Sequence, residues 1–302
     1  MAASGLVPEG NEVYLDHVGL FVPDFDASPR RLEELGFSLT PFVAHMASTE
    51  PGVAATPSGT GNQCAIFRQG YLEMLGPTVD TPLSRQLRAQ LDRYPGWHLI
   101  AFAANHPEEN HERIGRDGFR PLPLVRLARP VPTDGGEETC RFSVIRVPPE
   151  VMPEGRIQIV THHTPALVWQ PRYQHQPNGV VALTGVLVCV DDPREAAERF
   201  CRFVGVEALE KAGTWEMGLH EGRVVFIEGG RFRERYPGRE LPCTPYIAEV
   251  SMRTEDLGAT RRYFDEAGIR YEAAGDGTVR VPGAEALGAS FLFHESPAGG
   301  IL

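Results

Sequence analysis

At 302 residues the chain is long enough for two compact domains of about 150 residues each. Its 42% hydrophobic and 23% charged residues match an ordinary folded protein, which excludes disordered and fibrous classes. A formal net charge of −11 excludes partners held along a nucleic-acid backbone, because those need a basic stripe that displaces counterions.

The opening stretch MAASGLVPEGNEVYLDH has no basic patch followed by an apolar run, and nowhere do uninterrupted apolar residues approach a membrane span. Cytoplasmic residence without membrane contact is therefore expected. Cys64, Cys140, Cys189, Cys201 and Cys243 are odd in number, far apart and without a CxxC pair, so they are expected as small apolar residues rather than disulfides or ligands.

In chain order, the strand-like LDHVGLFVPD (Leu15–Asp24) leads into ASPRRLEELGF, where Leu32, Leu35 and Phe37 recur at helical spacing and Gly36 reads as a stop. Turn-punctuated, strand-like residues then run to GYLEMLG (Gly70–Gly76), with SGTGNQ (Ser58–Gln63) expected as a hairpin loop. The same pattern restarts at GWHLIAFAAN (Gly96–Asn105), continues through HPEENHERIGRDGF and closes in GRIQIVTHH (Gly155–His163). A third copy opens at ALTGVLVCVDD, with helix PREAAERFCRFVGV and closing strand GRVVFIEGG; a fourth opens at YIAEVSMRTEDL, with helix GATRRYFDEAGI and closing strand GASFLFHE.

Four βαβββ units predict an α+β fold in which the units pair into two cupped mixed β-sheet domains. The expected boundary is the polar stretch PRYQHQPNG, giving domains over 12–170 and 180–297. Strand limits within 42–67 and 121–147 are blurred by Pro and Gly.

His17 in LDHVGL, the SGTGNQ segment, Glu73 in GYLEMLG and THHTPALVWQP (Thr161–Pro171), in this order, resemble the glyoxalase-like branch of the vicinal oxygen chelate superfamily, the glyoxalase/bleomycin resistance/extradiol dioxygenase fold. The motifs cover about the first 180 residues, and the remainder shares only the repeated unit. The resemblance implies metal ligands on the first and last strands of each unit. These positions are His17 and Glu73 in the first unit, and His98 and Gln158 in the second when GWHLIAF is laid on LDHVGLF and GRIQI on GYLEM. His17, Glu73 and His98 would hold a divalent metal, with Zn, Ni, Co, Mn and Fe all open, and Gln158 would be a weaker donor or substrate contact. Two imidazoles and a carboxylate leave coordination positions free for a substrate with two neighbouring oxygens.

Strand parity puts Gly19 and Phe21 on the face of His17, Tyr71 and Leu75 on that of Glu73, and Val160 and His162 on that of Gln158. Glu73 and His162 are the candidate general bases, with Thr60, Asn62, Gln158 and His163 as substrate-contacting candidates. Adjacent His162 and His163 face opposite ways on a strand, so one of them is structural. His45, His106, His111 and His220 are expected as exposed or turn residues, and Trp97, Trp169 and Trp215 as packing residues.

The matching positions of the second pair are Thr184, Val225, Glu249 and Phe291, which cannot hold a metal. That half is expected to complete a pocket, support folding or form a homodimer contact. No GxSxG elbow and no GxGxxG after a strand is present. The resemblance therefore implies a metal-dependent lyase or isomerase acting on a small oxygenated molecule. The alternatives are a ferrous ring-cleaving dioxygenase and a non-enzymatic, drug-sequestering binding protein.

Overall fold

The structure, a computed structural model, describes residues 7–47, 56–273, 277–296 and 301. The first half runs β1 (Val13–Phe21), α1 (Ser28–Glu34), β2 (Val43–Ala47), β3 (Thr56–Ile66), β4 (Tyr71–Pro77), α2 (Pro82–Leu91), β5 (Gly96–Ala104), α3 (Pro107–Arg116), β6 (Val125–Thr133), β7 (Gly136–Arg146), β8 (Arg156–His162) and α4 (Pro165–Val168). The second runs β9 (Val180–Val190), α5 (Pro193–Val204), β10 (Ala208–Lys211), β11 (Thr214–Gly218), β12 (Arg223–Glu228), α6 (Gly229–Arg235), β13 (Tyr246–Thr254), α7 (Leu257–Ala267), β14 (Glu272–Ala273), β15 (Val279–Val281) and β16 (Phe291–His294).

Each half is one eight-stranded mixed sheet, with strand order β2-β3-β4-β1-β5-β8-β7-β6 in the first and β10-β11-β12-β9-β13-β16-β15-β14 in the second. The two orders are the same pattern: within a unit the opening strand pairs parallel with the closing one, and the two opening strands meet antiparallel at the centre. This is the expected α+β architecture of paired βαβββ units. No helix among the described residues is long and apolar enough to cross a membrane.

The repeat is carried by a shared helix ending. Helices α1, α3, α5 and α7 stop at Gly36, Gly118, Gly205 and Gly268, with φ of 82°, 88°, 83° and 67°. In each, the next residue, Phe37, Phe119, Val206 or Ile269, returns its N–H to a carbonyl of the last turn. Glycine tolerates the left-handed angle at no steric cost, and the apolar residue after it folds back under the helix.

The SGTGNQ segment departs from expectation. It is not a loop but the middle of β3, paired with β2 on one side and β4 on the other. A Cβ on Gly61 would lie 2.6 Å from the Phe42 ring, so this glycine serves close packing rather than a turn. Helix α2 also lies where no helix was foreseen; its start is a capping box between Thr81 and Ser84.

A second departure governs the site. Each central strand carries an unpaired extra residue at the same place, Asp16 in β1, His98 in β5, Thr184 in β9 and Ala248 in β13, and β9 also skips Val181. Such bulges break the two-residue alternation and re-aim the side chains around them. Below the bulge Leu15, Trp97, Leu183 and Ile247 face the helices; at the next paired position His17, Leu99, Gly185 and Glu249 face the opposite side. His98 is thus the counterpart of Asp16, and Leu99 that of His17.

One apolar core runs between the halves. Phe291 of β16 packs on Phe37 (5.4 Å) and Trp97 (5.0 Å), and Phe203 of α5 on Phe119 (5.4 Å). Polar ties reinforce it: Arg199 pairs with buried Glu154 at 2.7 Å, and Asn178 donates to the Leu35 carbonyl at 2.9 Å.

Candidate functional site

The sheet face of the first half opposite α1 and α3 has an apolar floor of Phe21, Leu75, Leu99, Ala101, Val144 and Val160, with Leu87 and Leu91 of α2 packed against it. Its polar groups gather around His17. Because the bulge sets Asp16 beside it, His17 Nδ1–H donates to Asp16 Oδ2 at 2.6 Å. The other oxygen, Oδ1, accepts from His162 Nε2 at 2.9 Å. Burial would push the Asp16 carboxyl up, but the charge and hydrogen bond of His162 and the hydrogen bond of His17 hold it well below the usual carboxylate range. With its Nδ1 proton committed, His17 keeps a lone pair on Nε2, aimed away from Asp16. Tyr71 stacks on the imidazole at 4.4 Å, and Trp169 stands edge-on to both Tyr71 (6.0 Å) and His162 (4.9 Å), closing that end.

On the open side of His17, Nε2 lies 3.8 Å from Glu73 Oε2 and 3.5 Å from Gln158 Nε2. The second carboxylate oxygen of Glu73, Oε1, accepts from Asn62 Nδ2 at 2.6 Å. Burial opposes ionisation of Glu73, yet His17, His45, the Asn62 bond and Arg156 lower its pKa below the ordinary value. Glu73 keeps 12% of its side chain accessible, so this carboxylate is charged and still reachable.

His45, expected as an exposed or turn residue, lies instead on β2 with Nδ1 3.0 Å from Thr60 Oγ1, and burial lowers its pKa despite the pull of Glu73. Thr60 thus contacts His45, and Asn62 contacts Glu73. The only sequence signal for His45 was strand parity across a stretch too broken by Gly and Pro to read. Asp16 was equally hidden, because simple alternation assigns it to the helix side.

Two expected members stand apart. His98 is fully buried, donates Nε2–H to the Tyr94 carbonyl at 2.8 Å, and stacks on Tyr94 at 4.1 Å with Phe21 at 5.2 Å. Burial pushes its pKa down to about 4. The expected meeting of His98 with His17 and Glu73 does not occur, because the bulge shifts the register by one and puts Leu99 there. His163 follows β8 on the opposite side from His162 and bonds Ser143 Oγ at 2.9 Å, outside the cluster.

Among the described residues no three His, Cys, Asp or Glu side chains converge as a metal site. His17 Nε2, Glu73 Oε2 and the Gln158 amide do form a compact donor set. In a tetrahedral site with bonds of about 2.0–2.2 Å, neighbouring donor atoms stand about 3.3–3.6 Å apart, close to the spacings observed. Gln158 would offer Oε1 by turning its terminal amide over. A carboxylate behind a ligating imidazole, the place of Asp16, is the usual outer support of such a ligand. The donor set therefore fits a divalent metal without His98.

The corresponding face of the second half is filled by its own chain. Phe232 of α6, with Tyr236, Leu241 and Cys243 after it, packs against Leu187, Cys189, Val225 and Ile227. Fully buried Glu249 is held by Arg239 at 3.0 Å, Arg280 at 2.5 Å and Ser290 Oγ at 3.1 Å. Thr184, in the place of Asp16, bonds His294 Nε2 and Ser251 Oγ, each at 2.8 Å. The group remaining opposite Glu73 is Val225.

Comparison with known proteins agrees with this geometry. A family described as a glyoxalase-like domain matches residues 15–204, more than half of the chain. No curated protein matches the sequence. Among solved structures, a hypothetical protein from Staphylococcus aureus is similar at TM-score 0.64 and 10% identity, covering 94% of this chain and 100% of that one. A variant of 4-hydroxymandelate synthase from Streptomyces coelicolor is similar at TM-score 0.54 and 13% identity, covering 95% and 94%. A catechol 2,3-dioxygenase follows at TM-score 0.50 and 12% identity, covering 95% and 90%. At such identities the structural likenesses speak to fold alone, and the sequence match over more than half of the chain makes it a member of the glyoxalase-like domain family.

Proposed function

We propose that the first half is a divalent-metal lyase or isomerase site acting on a small oxygenated molecule, with His17, Glu73 and Gln158 as metal-holding residues. The observation that carries this reading is the Asp16–His17 hydrogen bond of 2.6 Å, which leaves the Nε2 lone pair facing a charged, accessible carboxylate. A bound metal would supply a Lewis acid that stabilises negative charge developing on a substrate oxygen.

The chain's own groups then divide the remaining work. Asn62 fixes Glu73 through Oε1, so that Oε2 would either hold the metal or, when released from it, take and return a proton. His162 positions His17 through Asp16 rather than touching substrate, and neutral His45 stands beside Glu73 as a second proton acceptor. The apolar floor and the Tyr71–Trp169 wall exclude water around them. A ferrous dioxygenase built on His17, Glu73 and His98 loses support, because His98 is engaged with Tyr94.

The second reading is a binding protein without chemistry, favoured by the convergence of only two ionisable ligand side chains among the described residues. Elemental analysis of the purified full chain, followed by melting with added Zn, Ni, Co or Mn, separates the two. Bound metal should raise the melting temperature, and a concentration of 100 times Kd corresponds to about 2.7 kcal/mol. His17→Ala and Glu73→Gln should abolish the rise. Metal-free protein whose melting no ion moves would leave the binding reading standing.

A further inference from the structure

Three arginines on the site face have no carboxylate of their own, and we propose that they receive an anionic oxygen group, carboxylate or phosphate, on a small ligand. Arg146 pairs across the sheet with Gln158, and Arg156 lies two residues before Gln158 on the same strand, so both share its face. Arg129 on β6 lies on this face as well, its guanidinium 6.0 Å from the Phe142 ring. Among the described residues none of the three makes a side-chain hydrogen bond or ion pair, and the Arg129 Nε is buried without a partner.

Several half-buried arginines elsewhere are matched by carboxylates: Arg199 by Glu154, Arg239 and Arg280 by Glu249, Arg31 by Glu285. Placing cations together away from water is costly unless an anion joins them.

The Arg156 guanidinium stands 5.5 Å over the Phe21 ring. A planar guanidinium matches a carboxylate or phosphate through paired hydrogen bonds. The metal reading above places the reacting end at Glu73; the arginine seat needs only the charge.

The test is calorimetric titration of the full chain with phenylacetate, phenylphosphonate and neutral phenylacetamide, each with and without added zinc. At least one anion should bind about tenfold or more tightly than the amide, and the tighter of the two names the oxyanion. Arg156→Gln and Arg146→Gln should each weaken it about tenfold, equivalent to 1.4 kcal/mol. Arg156→Lys should restore part of the loss. His17→Ala should abolish zinc binding yet leave anion affinity within about twofold, so the metal reading and the arginine seat fail separately. The amide binding as well as the anions, unchanged affinity in both glutamine variants, or no anion binding at millimolar concentration would overturn the proposal.

Discussion

The two halves of this chain share one strand order and one set of four bulges, yet they use the same sheet face in opposite ways. In the second half the chain covers its own face: α6 and the residues after it seal the floor, and Glu249 is neutralised by two arginines. In the first half the cationic groups lack that match, while the hydrogen-bonded pairs Asp16–His17 and Asn62–Glu73 flank an open donor set. The same scaffold thus makes a structural ion pair where charges cancel, and a candidate binding centre where they do not. What distinguishes them is a few side chains at equivalent positions, not the backbone.

The comparison can be broken most strongly at Glu249. Its replacement by Ala strands Arg239 and Arg280 in a buried setting, and denaturant titration should show a loss of about 3–5 kcal/mol. Next in size is the pH response of His98, whose counterpart in the second half is Ala248. Its folded pKa of about 4 lies below the unfolded 6.5, so the unfolded chain binds the proton first as pH falls. Stability should therefore decline between about pH 6.5 and 4, by up to about 3 kcal/mol from this group, and His98→Gln should flatten that slope.

A smaller effect separates Asp16 from Thr184. Asp16→Asn should lower metal affinity about 10–100-fold in an equilibrium titration, since it supports the His17 ring from behind. Thr184→Val, at the matching bulge, should leave that affinity unchanged. The last effect sharpens the contrast by its sign: Arg156→Gln, which removes an unmatched cation and no ion pair, should leave unfolding free energy unchanged or raise it. A loss comparable to that of Glu249→Ala would mean that Arg156 is a structural charge after all.

The fold was legible because its signals are local. A glycine that ends a helix, followed by a residue such as Phe37 or Phe119 that folds under it, states its meaning within a few positions. His17, Glu73 and Gln158 were legible as a cluster because strand parity and the family motif agree, and Asn62 through the family motif alone. His98 was misplaced because a bulge adds a residue without any compositional mark, so counting along β5 arrives one position early. SGTGNQ misled for the opposite reason: its glycines look like a turn, although pairing on both edges makes the segment a strand. His45 and the three arginines are defined by cross-strand neighbours far away in sequence, which no local pattern reveals.

The continuous apolar seam through Phe37, Trp97, Phe291, Phe119 and Phe203 makes the halves thermodynamically inseparable. Severing the chain near Pro171–Gly179 would bare aromatic rings on both fragments, and each would aggregate before it could work alone. The sealed half thereby acts as ballast, its well-matched interior offsetting the tension of crowded positive charge in its twin.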